Sequence, residues 1–169
     1  MRYRQDSGRS IVEMLGVLAI MGVITVMGIS GYSQAVGRIN RNKMVEDIVS
    51  LAQEVRTLYA GQNLYDDEIQ ANVIGVKGID PSLPTPLPNP FGGAYTVELA
   101  GTETNGRSPF FKITADNISQ ADCTSFRTMT WMDARKLTGE DNEGKAIVNG
   151  DESGSCSAGS ANTITLVYQ

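Results

Sequence analysis

The chain has 169 residues, about one domain's worth at roughly 100–200 residues per domain, and its 14 Lys+Arg against 19 Asp+Glu give a formal net charge of −5. An acidic chain lacks the basic footprint of a general nucleic-acid binder, so no nucleic acid is predicted as a partner. It has no histidine and only two cysteines, which removes Ser-His-Asp and Cys-His catalysis, every His-ligated metal site and the four-cysteine zinc sites.

The charge is unevenly spread. From Met14 to Gly37 there is no charged residue, and the apolar part, Met14 to Tyr32, runs for 19 residues. A membrane-spanning helix needs about 20 such residues, within a range of roughly 17–25. A buried globular helix usually keeps a polar face, and this run has none. A cleaved secretory signal has a shorter apolar stretch with a small-x-small site behind it, whereas this pattern continues as helix. Arg2, Arg4 and Arg9 precede the run, against Asp6 and Glu13. The positive-inside rule therefore predicts a single-pass protein with its N-terminus in the cytoplasm and residues 38–169 outside the inner membrane. That orientation places Cys123 and Cys156 in an oxidising compartment.

Gly8 joins a short charged leader to the apolar run, and Glu13 stands at the run's edge. A carboxylate inside a membrane is costly, although near a helix end it can reach headgroup water. Glycines recur at 16, 22, 28, 31 and 37. Small residues let membrane helices approach closely, and Gly28-Ile29-Ser30-Gly31 is the expected place for the helix to stretch or loosen.

Beyond Gly37 the helical period persists. Met44, Ile48, Leu51, Val55 and Leu58 step by fours and threes, Val45, Ala52 and Tyr59 widen the stripe, and most charges fall off it. This predicts an amphipathic helix laid on a globular head and stopped near Gly61. The proline-rich stretch from Asp80 to Gly93 must be a loop. Tyr95-Val97-Leu99 and Phe111-Ile113 read as strands with a turn near Asn105-Gly106, and Ile147-Val148 as a possible strand. Ile118 to Trp131 reads as a helix, with Ser119 and Asp122 as a capping pair and Cys123, Phe126 and Thr130 near one face. Ile164-Leu166-Tyr168 alternates as a C-terminal strand.

A Cys123–Cys156 disulfide would close a glycine-rich acidic loop and contribute about 2–4 kcal/mol; two unpaired thiols are the alternative. Asp141, Glu143, Asp151 and Glu152 lack the spacing of a calcium loop. No metal, cofactor or catalytic residue is predicted. Ser153-Gly154-Ser155 has no companion base, and the protein is not expected to be an enzyme.

The segment Gly8-Arg9-Ser10-Ile11-Val12-Glu13-Met14-Leu15, followed at once by the apolar run, resembles the prepilin signature of type IV pilins and type II secretion pseudopilins. The resemblance implies cleavage by a prepilin peptidase after Gly8, N-methylation of the new first residue Arg9, and an assembly role for Glu13, the fifth mature residue. Arg9 departs from the usual apolar first residue. Leu58-Tyr59-Ala60-Gly61-Gln62, Asn89-Pro90-Phe91-Gly92-Gly93 and the placement of the two cysteines are similar to type IVb pilins, although the eight-residue leader is shorter than theirs. The implied fold is α+β: a long N-terminal α-helix packed on a small antiparallel β-sheet head, the pilin ladle, with a disulfide-closed C-terminal region. The expected organisation is a leader 1–8, a helix 9–60 (9–37 in the membrane and filament core, 38–60 amphipathic) and a head 61–169.

The implied function is a structural subunit that polymerises through its helix into a surface filament for adhesion, aggregation or conjugation. Its partners would be other pilin subunits, the prepilin peptidase, the inner-membrane assembly machinery and, before assembly, the membrane itself. A type II pseudopilin or minor pilin is the alternative within the family, and a membrane-anchored binding module the alternative outside it.

Overall fold

The computed structural model describes residues 7–80, 82, 87–101, 104–136, 140, 144–159 and 161–169, with side chains from residue 11 onward. The protein divides between Asn40 and Arg41 into two compact units. Helix α1 spans Ser7–Leu58 and contributes to both. The second unit adds β1 (Tyr65–Asp66), α2 (Ile69–Val76), β2 (Tyr95–Ala100), β3 (Arg107–Ser108), β4 (Phe110–Ile118), α3 (Gln120–Thr128), β5 (Ile147–Val148) and β6 (Asn162–Tyr168). The fold is α+β, a long N-terminal helix with a small antiparallel sheet.

The sheet runs β2-β4-β6-β5, with every neighbouring pair antiparallel. β1 and β3 form a separate two-stranded ribbon. Strand alternation sends Val97, Leu99, Phe111, Ile113, Ala115, Ile164, Leu166 and Tyr168 to one face. Against them lie Met44, Ile48, Leu51, Ala52, Val55 and Tyr59 of the first helix and its exit turn, in one core cluster. The predicted stripe is thus the core-facing side of α1, with Val45 and Leu58 half-buried at its margin. Gly61 follows with a φ of +89°, a left-handed turn that suits glycine as a helix stop.

Three local expectations need correction. The α3 helix is shorter than the Ile118–Trp131 segment: Ile118 ends β4, Ser119 caps the helix, and Trp131 lies beyond its end. Thr130 is exposed, while Cys123 and Phe126 are buried. β6 is not one-faced, because Thr165 and Val167 are buried too. Val167 joins Ala100, Ile147 and Phe110 in a second small cluster on the sheet's other face. The helix α2 and strand β1 carry no sequence expectation. Of the proline-rich loop, Pro81, Pro84 and Pro86 lie outside the described residues, while Pro88 and Pro90 stand outside helix and strand.

Two buried asparagines organise the loops. Asn89 accepts the N–H groups of Phe91 (2.9 Å) and Gly93 (3.0 Å) and donates to the carbonyls of Asp116 (2.8 Å) and Ala94 (3.3 Å). A Cβ on Gly93 would collide with Asp116, so this close approach requires glycine. Asn162, fully buried, donates to the Ile118 and Ser157 carbonyls at 3.1 and 3.0 Å and accepts the Ser157 N–H at 2.6 Å. Buried amides with both ends satisfied fix a loop path without a desolvation penalty.

Candidate assembly helix

The N-terminal half of α1 combines length, apolarity and exposure. Ala, Leu and Met are strong helix formers, and no proline interrupts the segment. Every side chain from Ile11 to Ala35 is exposed. Val12 and Val26 are each 70% accessible and Met27 69%. By length and composition this is a helix able to cross a membrane. Full burial of each such aliphatic side chain is worth about 1.5–3 kcal/mol, so the surface favours lipid or other helices strongly over water.

The five glycines sharpen this. A Cβ placed on Gly16, Gly22, Gly28, Gly31 or Gly37 meets nothing within 4 Å. Packing among the described residues therefore gives no reason for glycine, although each costs a helix about 1 kcal/mol relative to alanine in soluble hosts. The helix is nonetheless unbroken through Gly28 and Gly31. Thr25 and Ser33 turn their hydroxyls back to the carbonyls of Met21 (2.8 Å) and Ser30 (2.9 Å), which hides polar atoms that lipid cannot satisfy.

Gly8 and Arg9 both lie within α1. Glu13 stands four residues after Arg9, one turn on along the same side of the helix, and its side chain is exposed. The side chain of Arg9, and Arg2, Arg4 and Asp6 of the leader, lie outside the described residues.

The lower half of the helix is tied to the head by polar clamps that the sequence did not announce. Arg41 reaches Asp122 (3.4 Å) and Ser125 (3.3 Å) on α3. Tyr95 on β2 donates to Asp47 at 3.2 Å, and burial with that neighbouring carboxylate pushes its phenol far up. Glu54 pairs with Lys77 at 2.9 Å. Arg56 donates to the Gln169 carbonyl at 2.9 Å, and its guanidinium stands 5.6 Å from the Tyr168 ring centre. Tyr59 donates to Asp66 and accepts from Asn72 at 2.9 Å. Burial, then the Asp66 bond, push its pKa up to about 12. A charged residue just off the stripe, within reach of a second element, is the sequence signal for the clamps at Arg41, Asp47, Glu54 and Arg56.

Cys123 of α3 and Cys156, between β5 and β6, form a disulfide with a Cα–Cα distance of 5.9 Å across a sequence separation of 33. The Ser119 hydroxyl accepts the Asp122 N–H at 3.2 Å and donates to its carboxylate at 2.6 Å, anchoring the start of that helix. Of the acidic loop, Asp141 and Glu143 lie outside the described residues, and Asp151 and Glu152 are exposed. Bonds from the Ser153 N–H and hydroxyl hold the Asp151 carboxyl below the usual carboxylate range. Among the described residues no three candidate ligands gather for a metal.

A long exposed apolar helix running into a disulfide-closed antiparallel head defines a pilin-like architecture. The protein belongs to the PilS N-terminal family, a type IV pilin-related family, whose model matches residues 38–169. It is a pilin-like structural protein. No curated protein matches it. The family match starts at Arg38, so the Gly8–Glu13 segment lies outside it.

Proposed function

We propose that this protein is a type IV pilin, made as a single-pass inner-membrane protein with its N-terminus in the cytoplasm and assembled into a surface filament. One observation carries this reading. A pilin-family head is joined to a helix whose apolar side chains from Ile11 to Ile29 are uncovered by the rest of the protein. Lipid covers such a helix before assembly, and neighbouring helices cover it afterwards. The glycines at 16, 22, 28, 31 and 37 favour close helix contact in the second state.

In this reading residues 1–8 are a leader, removed by a prepilin peptidase after Gly8, and Arg9 becomes the methylated first residue. Residues 9–37 form the filament core. Glu13 pairs with the free α-amino group of a neighbouring subunit, because an unpaired charge in apolar surroundings is expensive and pairing offsets it. The pair fixes axial stagger as well as adding attraction. The pilus assembly machinery of the inner membrane is the partner for extraction, and the filament serves adhesion, aggregation or conjugation. The protein has no catalytic task.

A pseudopilin or minor pilin shares this chemistry and differs in abundance within sheared surface material. The intact mass of the exported protein tests the central claim. Loss of residues 1–8 is the expected result. Retention of Met1 overturns it in favour of an anchored binding module.

A further inference from the structure

The head contains two turns with the same central pair of residues and the same backbone. Thr104 and Arg107 exchange backbone hydrogen bonds of 2.8 and 3.2 Å around Asn105-Gly106, and Val148 and Asp151 exchange bonds of 3.1 and 3.0 Å around Asn149-Gly150. Both asparagines are left-handed (φ 53° and 52°), as are both glycines (φ 70° and 76°), the pattern of a two-residue type I′ turn. Both asparagines are exposed.

Their side chains differ. The Asn149 amide donates to the Ser155 carbonyl (3.1 Å) and to Asn162 Oδ1 (3.2 Å), and its oxygen accepts the Thr163 N–H (2.9 Å). The Asn105 side chain makes no hydrogen bond among the described residues.

We propose that Asn105 is a site of spontaneous deamidation and isoaspartate formation, and that the fold protects Asn149 from the same reaction. The Gly106 nitrogen loses its proton and attacks Asn105 Cγ. The new bond from that nitrogen to Cγ closes a succinimide as the bond from Cγ to Nδ2 breaks, and ammonia leaves with a proton. Water then opens the ring at either carbonyl, giving aspartate or isoaspartate. Glycine at the following position leaves the attacking nitrogen unhindered in both turns. Ring closure also requires the asparagine side group to swing over its own backbone. Asn105 is free to do so, while Asn149 must first give up three hydrogen bonds. At Asn105 the product adds a carboxylate to the hairpin tip, and isoaspartate adds a backbone carbon two residues from Arg107, which pairs with Asp66 of β1.

The test incubates the full-length protein in detergent at mildly alkaline pH and maps isoaspartate by peptide analysis over time. Isoaspartate at position 105 should accumulate at least about tenfold faster than at 149, the least that three hydrogen bonds of ordinary strength provide. Equal rates, or faster reaction at 149, overturn the proposal. The same protein, reduced and denatured in urea, should show the two rates converging. A ratio that persists without the fold assigns the difference to local sequence and overturns the protective role of the Asn149 contacts. Asn105→Gln should remove the signal at 105, because glutamine does not close the five-membered ring.

Discussion

The two halves of α1 carry similar aliphatic residues with opposite fates. Ile20 and Ile24 are more than 60% exposed, whereas Ile48 and Val55 are fully buried. The difference lies in spacing. From Met14 to Tyr32 the apolar residues surround the helix, and from Met44 onward they narrow to a stripe at steps of three and four. A stripe matches one sheet face, while an all-round surface matches an environment that is apolar on every side. The same hydrophobic force therefore builds the head's own core in one half and awaits lipid or other helices in the other.

The largest effect tests the half without a partner of its own. Glu13→Ala should abolish filaments in sheared surface material while leaving membrane levels unchanged, since in the proposed filament it would break a buried ion pair at a cost of about 3–5 kcal/mol per subunit. Normal filaments would sink the assembly role of Glu13. The next measurement addresses the contrast itself. Ile48→Ala should lower the unfolding free energy of the head by about 2–5 kcal/mol, and Ile20→Ala should change it by no more than about 0.5 kcal/mol. Similar losses from both would show that the two halves are not energetically distinct. Replacing Cys123 and Cys156 together by serine should cost about 2–4 kcal/mol in denaturant melts, without altering membrane insertion. Ser119→Ala, which removes the α3 cap, should cost about 1 kcal/mol.

The last effect is a pH dependence confined to alkaline solution. Tyr59 titrates near 12 in the folded head against an ordinary 10.0. Tyr168 is raised to about 12 as well, chiefly by burial. Because the folded state holds the phenol protons more tightly, their contribution is fully present below pH 10 and is lost as pH rises toward 12. Tyr59→Phe should flatten the fall in stability across that window. An unchanged slope would mean that Tyr59 does not contribute to it.

Much of this was legible in the sequence because it rests on periodicity. The stripe from Met44 to Tyr59, the four sheet strands and the Asn105-Gly106 turn follow from spacing and turn chemistry. What escaped depends on tertiary neighbours. The helix α2 is only eight residues long and contains Gly75, with no side-chain cap, so it gives no lasting signal. Ile118 reads as helical by its neighbours, yet its pairing with Asn162 makes it the end of β4. Val167 breaks the expected alternation because it is buried with Ile147 and Ala100 in a small cluster on the sheet's second face. For the candidate assembly helix, the apolar run was plain in the sequence. That its glycines meet nothing among the described residues was not, since only the folded structure distinguishes a glycine needed inside from one available to a neighbour.

The residues from Met44 to Tyr59 are at once core and handle. Tension entering the head along the helix axis acts on them in shear, with the stripe's side chains loaded together rather than one after another. Arg41, Asp47 and Arg56 add polar catches along the same interface, and Arg56 ties the helix to the end of β6. A head built this way yields to pulling only by losing many contacts at once, so its mechanical strength can exceed what its thermodynamic stability suggests.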